Sequence, residues 1–278
     1  MKTFCIVIPV YKTELNCIEE ISLKRLNTVI GEKNYDVYLV HPENLNLDIY
    51  YKYYSNLKSI AFLPDYFENT ATYSQLCLNY DFYNTFSDYN YMLIYQLDCY
   101  LFYDAIEEWC NKDYDYIGGP IVSTDCGWDT LKKSQEKNKK YHPYVGNGGF
   151  SLRKISTFKD ICDPNGELRK LYNLTDEKLK QVAFEDKYFC NDLHDIYKLD
   201  IPFWKDAFNF GIDMSVDVVY NLFKLNPNPM GIHSFDKNIR WWKTRIPECM
   251  DEKVIQFCEE KHKDFFKIYY DEYDSTIR

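Results

Sequence analysis

Long hydrophobic runs are missing from this sequence of 278 residues: no stretch approaches 18 consecutive apolar residues, so nothing reads as a membrane-spanning helix. The apolar stretch after Lys2 is cut by Pro9, too soon for the hydrophobic region of a signal peptide. Positive charge is also scarce, with 33 Lys and Arg against 43 Asp and Glu. The resulting net charge of −10 excludes a general nucleic-acid binder, whose affinity comes from neutralising phosphates. Cys-x-x-Cys is absent and the 10 cysteines are scattered, which excludes a zinc ribbon and a dense disulfide scaffold. Neither a P-loop nor a Gly-x-Gly-x-x-Gly turn opening a helix is present, so neither nucleotide fingerprint applies. Internal repeats and low-complexity linkers are absent too. The expectation is a soluble, cytoplasmic protein with reduced thiols, peripheral contact with a membrane being left open.

The length suits one large domain or a domain with a small appendage. Aromatic residues reach 18%, with 27 tyrosines and 18 phenylalanines; that richness suits stacking on sugars or bases, but codon bias is the favoured account of it. Phe4 to Val10 is a short continuous apolar run closed by Pro9-Val10-Tyr11, the pattern of a buried parallel strand with a loop at its carboxyl end. Thr13 to Ile30 repeats apolar residues at helical spacing up to Gly31, and Tyr35 to Val40 is a second strand, which completes a βαβ unit. A helix over Asn44 to Tyr54, a strand over Ser59 to Leu63, one long helix over Thr72 to Phe86 and a strand over Tyr91 to Phe102 follow. This alternation predicts an open α/β sheet whose ligands bind outside the carboxyl ends of its strands. Tyr114 to Ile117 reads as a strand, Leu131 to Lys140 as a solvated helix or loop, and Glu252 to Tyr270 as an amphipathic terminal helix.

Four short segments carry candidate chemistry. Gln96-Leu97-Asp98 puts a carboxylate at the end of an apolar strand, where it can hold a divalent cation against a diphosphate or cap the next turn. Gly146-Asn147-Gly148-Gly149-Phe150-Ser151 places three glycines before an alternating strand, which allows close approach of a ligand or a plain hairpin entry. Glu185-Asp186 opens a helix-like segment; the pair complements a helix dipole or removes a proton from an attacking hydroxyl. His233, in Gly231-Ile232-His233-Ser234-Phe235-Asp236-Lys237, can supply an imidazole ligand to Mn²⁺ or a similar ion.

In this order the segments resemble the GT-A nucleotide-sugar glycosyltransferases, in particular the inverting β-1,4-galactosyltransferases and related bacterial and fungal glycosyltransferase-like domains, over roughly residues 3 to 245. The resemblance implies a GT-A (Rossmann-like) open mixed sheet flanked by helices over residues 1–245, and a C-terminal helical extension, 246–278, packed on it. It implies Asp98 and His233 as ligands of Mn²⁺ or Mg²⁺, with Gln96 standing where the family has the first acid of Asp-x-Asp. Pro9, Val10, Tyr11, Gln96 and Lys237, with Arg240 as a further cation, would face the nucleotide. Gly148 and Gly149 would line the sugar site, and Trp128 either closes over it on a lid or packs without function. Asp186 is the implied base, with Glu185 beside it. The implied activity is transfer of a hexose, with inversion, from a nucleotide-sugar such as a UDP-hexose to a saccharide or lipid-linked glycan in polysaccharide synthesis. Two other readings stand: a sugar nucleotidyltransferase, against which the glycine-free Pro9 to Thr13 loop counts, and a non-catalytic sugar-binding or assembly subunit on a degenerate fold.

Overall fold

The computed structural model describes residues 2–124, 141–171, 174–192, 198–213, 216 and 218–264. Its centre is a six-stranded sheet of β1 (Lys2–Pro9), β2 (Val37–Pro42), β3 (Lys58–Phe62), β4 (Tyr89–Tyr95), β6 (Tyr116–Gly118) and β9 (Phe150–Lys154), in the order β3-β2-β1-β4-β9-β6. The first four strands run parallel, with Ile6 of β1 in register with Val37 on one side and Leu93 on the other. Strand β9 runs antiparallel to both β4 and β6. The fold is thus the expected open mixed α/β sheet flanked by helices. Cys5, Ile6, Val7 and Ile8 of β1 are fully buried, so both faces of the strand are covered, which is why it reads as a continuous apolar run. Each of its large aliphatic side chains contributes on the order of 1.5–3 kcal/mol through burial.

The elements differ from the sequence reading at instructive places. Helix α1 (Cys17–Ile30) begins later than Thr13 because Asn16 caps it: its Oδ1 accepts from the amides of Ile18 and Glu19, and Glu19 Oε2 accepts from the Asn16 amide. Helix α2 spans Asp48–Tyr53. The single long helix expected over Thr72 to Phe86 is two, α3 (Thr70–Cys77) and α4 (Tyr80–Thr85), because Asn79 accepts a hydrogen bond from the Asp81 amide and starts a new helix.

The strand expected through Phe102 ends at Tyr95. Gln96 to Cys99 form a turn, in which the Cys99 amide donates to Gln96 O, and the chain re-enters as β5 (Tyr100–Leu101) in a second sheet. There β5 pairs antiparallel with β11 (Gly231–Ile232), which pairs in parallel with β10 (Gly211–Ile212). Strands β7 (Pro120–Thr124) and β8 (Tyr141–Val145) form a separate ribbon. Asp98 therefore lies between two sheets.

A second apolar cluster unites Ile18, Tyr100, Ile212, Ile232, Phe235 and Trp242 with Val254, Ile255 and Cys258 of the C-terminal helix, Glu252–Lys261, so the core runs across the expected boundary at residue 245. Among the described residues nine cysteines are free, and of these Cys17 alone is not buried. No described helix is long and apolar enough to cross a membrane. Trp128 and Leu131 to Lys140 lie outside the described residues.

Candidate active site

The chain passes from β1 outward through β2 to β3, then returns to the other side of β1 as β4. That reversal opens a crevice at the carboxyl ends of β1 and β4, the usual ligand position in such sheets. A cavity of about 380 Å³ occupies it, within the range of small-molecule sites. Pro9, Val10 and Tyr11 line it from the end of β1 and the loop that follows, Gln96 and Asp98 from the turn after β4, and Tyr50 from α2.

Asp98 is part of the wall of this cavity. Its Oδ1 is buried without a hydrogen-bond donor, and His233 Nε2 stands 3.3 Å away. Gln96 Oε1 lies 3.2 Å from the same nitrogen. The other ring nitrogen, Nδ1, is fixed from behind by Asp213 Oδ1 at 3.0 Å, Asn147 Nδ2 at 2.9 Å and Ser234 Oγ at 3.2 Å. A proton on Nδ1 satisfies Asp213, and a proton on Nε2 faces Asp98 and Gln96, both of them acceptors, so the ring carries its positive charge here. Burial would lower the His233 pKa, but the charges of Asp98 and Asp213 outweigh it and raise it to about 10. For Asp98, burial acts upward, and His233 overcomes it and holds the carboxyl below the usual carboxylate range.

Backbone geometry brings these groups together. Asn147 and Ser234, on either side of the imidazole, both have left-handed backbone, with φ of 70° and 53°. Asn147 Oδ1 accepts from the amides of Gly149 and Phe150, which turns its Nδ2 toward His233. A Cβ on Gly149 would stand 2.2 Å from His233 Nε2 and 2.6 Å from Gln96 Oε1; on Gly148 it would stand 2.5 Å from Glu185 Oε1. Two consecutive glycines thus let the histidine close in at one end of a single peptide and the carboxylate pair at the other.

Glu185 and Asp186 divide their work. Glu185 is 4% exposed and pairs with the fully buried Arg153 at 2.7 Å, while Ser74 Oγ donates to its second oxygen at 2.9 Å. Arg153 also donates to Tyr83 and Ser151 and lies over the Tyr116 ring. Asp186 Oδ2 accepts from the Gly148 amide at 2.9 Å and Oδ1 from the Lys187 amide at 2.6 Å. Burial, aided by the charge of Glu185, raises its pKa to about 6 despite those two bonds. A carboxyl poised there suits a general base near neutral pH.

Among the described residues no three His, Cys, Asp or Glu side chains converge on one point. The donors present nonetheless fit a divalent cation that is shared with a ligand's phosphates, because such ions take few protein ligands and fill their shells with phosphate and water. The Asp98 oxygen, which has no hydrogen-bond donor, is the strong ligand; Nε2 would become a second once a cation displaced its proton, Gln96 Oε1 is a weaker one, and Asp213 behind Nδ1 is the carboxylate that metal-binding histidines commonly carry. Lys237 stands behind the site, its ammonium 3.4 Å from Ser234 Oγ, and Arg240 pairs with Glu259.

A family model described as "Protein of unknown function (DUF5672)" matches residues 56–233, well over half of the chain. The chain belongs to this family. In this DUF5672 member the matched span holds Gln96, Asp98, Asn147, Gly148, Gly149, Asp186, Asp213 and His233, whereas Pro9, Val10, Tyr11 and Lys237 lie outside it. No curated protein matches the sequence. Among solved structures, core-mannan synthase A from Aspergillus fumigatus in a Mn/GDP form is similar at 13% identity and a TM-score of 0.45, over 74% of this chain and 73% of that one. Mouse xyloside xylosyltransferase 1 is similar at 9% identity and 0.48, over 83% and 97%. A glycosyltransferase from Streptococcus pneumoniae reaches 15% and 0.46, over 84% and 55%. Likenesses this loose assign no chemistry, so the site of the DUF5672 chain has to be judged on its own residues.

Sequence reasoning singled out Asp98, Gly148, Gly149, Asp186 and His233, and the structure brings them together. It missed Asp213, which no local motif marks, and the roles of Arg153 and of Asn147, although Asn147 stands inside the glycine segment that it singled out.

Proposed function

We propose that this protein is a GT-A-type glycosyltransferase that moves a sugar from a nucleoside-diphosphate donor, a UDP-hexose in the first instance, to a saccharide hydroxyl, with inversion, in glycan synthesis in a reducing compartment. The observation that carries the reading is the crevice at the strand reversal, whose wall includes Asp98, one of its oxygens buried without a hydrogen-bond donor beside an oriented His233. The nucleotide would lie along Pro9, Val10, Tyr11 and Tyr50, with its diphosphate toward Asp98.

Asp98 and His233 Nε2, with Gln96 Oε1, would hold Mn²⁺ or Mg²⁺, which when bound would neutralise charge developing on the departing diphosphate. Asp186 accepts the proton of the acceptor hydroxyl as that oxygen attacks the anomeric carbon. The bond from that carbon to the phosphate oxygen breaks on the opposite face, the nucleoside diphosphate carries away the electron pair, and the configuration inverts. Gly148 N–H fixes Asp186 in place for this, and the fully engaged Glu185 raises its basicity from behind.

The test is a thermal-shift screen of UDP, GDP and CMP, each with and without Mn²⁺. A ligand that binds the folded state raises the melting temperature by mass action. A metal-dependent rise with one nucleoside diphosphate is the expected result. No rise with any of them would replace this reading with that of a degenerate fold kept for binding or assembly.

A further inference from the structure

The C-terminal helix does more than cover the second apolar cluster: its last residue, Lys261, is part of the cavity wall. Two cations line the cavity, Lys12 and Lys261, against three carboxylates, Glu19, Glu68 and Asp98. Lys12 pairs with Glu19 Oε1 at 2.6 Å, and Glu19 is itself a cavity carboxylate, so that pair adds no net positive charge to the cavity wall. Lys261 is held differently. Its ammonium donates to Asp236 Oδ2 at 2.7 Å, and Asp236 is 1% exposed. The same oxygen is 2.7 Å from His262 Nε2, and Asp236 Oδ1 accepts the Lys237 amide at 3.1 Å.

Asp236 is thus a buried anchor shared among its partners, and it orients Lys261 without consuming the ammonium, which has three N–H donors. The helix is fixed so that it cannot swing away: Val254, Ile255 and Cys258 are buried, and Glu259 pairs with Arg240 at 2.8 Å. A cavity with more carboxylates than cations repels an anionic ligand unless a cation with spare donors faces it.

We propose that Lys261 binds the phosphates of the ligand in this cavity, so that residues 246–264 complete the binding site. The inference rests on reading the cavity as a nucleoside-diphosphate site. It goes beyond that reading by making the segment after residue 245, outside the span matched by the family model, a determinant of donor affinity. The role is that of a point charge, which needs no fixed fork of donors, so arginine at this position should supply most of it.

The experiment is calorimetry on the full chain with Mn²⁺ present, using UDP and GDP and the matching nucleosides, for the wild type, Lys261→Gln, Lys261→Arg and the exposed-site control Lys253→Gln. For the diphosphate that binds the wild type, Lys261→Gln should weaken binding by about 10- to 100-fold, the range for one charge-assisted hydrogen bond. Nucleoside binding should be unchanged, Lys261→Arg should recover most of the loss, and Lys253→Gln should match the wild type. Equal diphosphate affinity in Lys261→Gln and wild type would overturn the assignment and leave the donor reading standing. An equal loss for diphosphate and nucleoside would also overturn it, by showing that Lys261 only packs. Failure of the wild type to bind any nucleoside diphosphate would remove the donor reading and this assignment with it.

Discussion

Replacing Gly149 with alanine tests the centre of the site with one methyl group. The new Cβ would stand 2.2 Å from His233 Nε2 and 2.6 Å from Gln96 Oε1, where ordinary contact begins at 3.4 Å. Gly149 is not in the left-handed region, so the backbone accepts alanine and the whole effect comes from space. The imidazole has little room to retreat, because Asp213, Asn147 and Ser234 hold its far side. Overpacking of this kind costs about 1–3 kcal/mol. For a chain of this size each kcal/mol lowers the melting temperature by about 2–4 °C. Thermal unfolding measures that loss, and a Mn²⁺ titration followed by the same melt measures the second consequence, a weakened metal-dependent shift. Removing the imidazole as well, in Gly149→Ala/His233→Ala, should make the cost of the methyl smaller than it is in the wild type, a coupling of about 1 kcal/mol or more between contacting residues. If Gly149→Ala melts with the wild type and keeps its response to Mn²⁺, His233 is not seated against this glycine and the site has been built wrongly.

Arg153→Met leaves the Glu185 carboxylate buried without its partner and should cost about 3–5 kcal/mol in urea unfolding, while Arg153→Met/Glu185→Met should recover much of it; a single-variant loss under about 1 kcal/mol would contradict the buried pair. Asp186→Asn should abolish turnover while sparing donor binding, and wild-type kcat/KM should rise with pH through about 6; turnover that survives within a few-fold would move the base elsewhere. The same raised pKa has a stability signature of definite sign. The folded state keeps a proton that the unfolded chain loses near 3.8, so the contribution of Asp186 to stability is greatest below that pH and declines as pH rises to about 6, by on the order of 2–3 kcal/mol, opposite in sign to the contributions of Asp98 and Asp36. Asp186→Asn should flatten that slope in chemical denaturation, and an unchanged slope would show that another group carries it. Asp213→Asn should lower Mn²⁺ affinity by about 10- to 100-fold with the fold intact, as loss of a carboxylate behind a ligating histidine does; unchanged affinity in calorimetry would remove His233 from the cation site.

The central strands were legible because β1 and β4 are buried on both faces, and such strands leave an unbroken apolar run. The division of α3 from α4 was not, because the apolar spacing runs on past Asn79 and only its side-chain cap marks the break. Asp98 was found as a residue and misplaced as geometry. Its surroundings depend on β5 pairing with β11, some 130 residues on, which no local pattern announces. Histidine 233 was visible from its own segment. Its supports were not: Asp213 lies 20 residues away and Asn147 lies 86 residues away. Lys261 escaped for the same reason, since a helix end reaches the cavity only through the packing of Val254, Ile255 and Cys258.

The thiols offer a practical handle. Cys17 is the first residue of α1, next to Ile18 and Glu19, which line the cavity, and it is the described cysteine that solvent can reach. Burial raises its pKa and slows its alkylation, but the other described thiols are shut away in the core. With Cys126 replaced by serine, an environment-sensitive fluorophore attached at Cys17 would report occupancy of the crevice in real time. The rate at which a nucleotide enters and leaves could then be followed by stopped flow in a chain that still carries eight of its native cysteines.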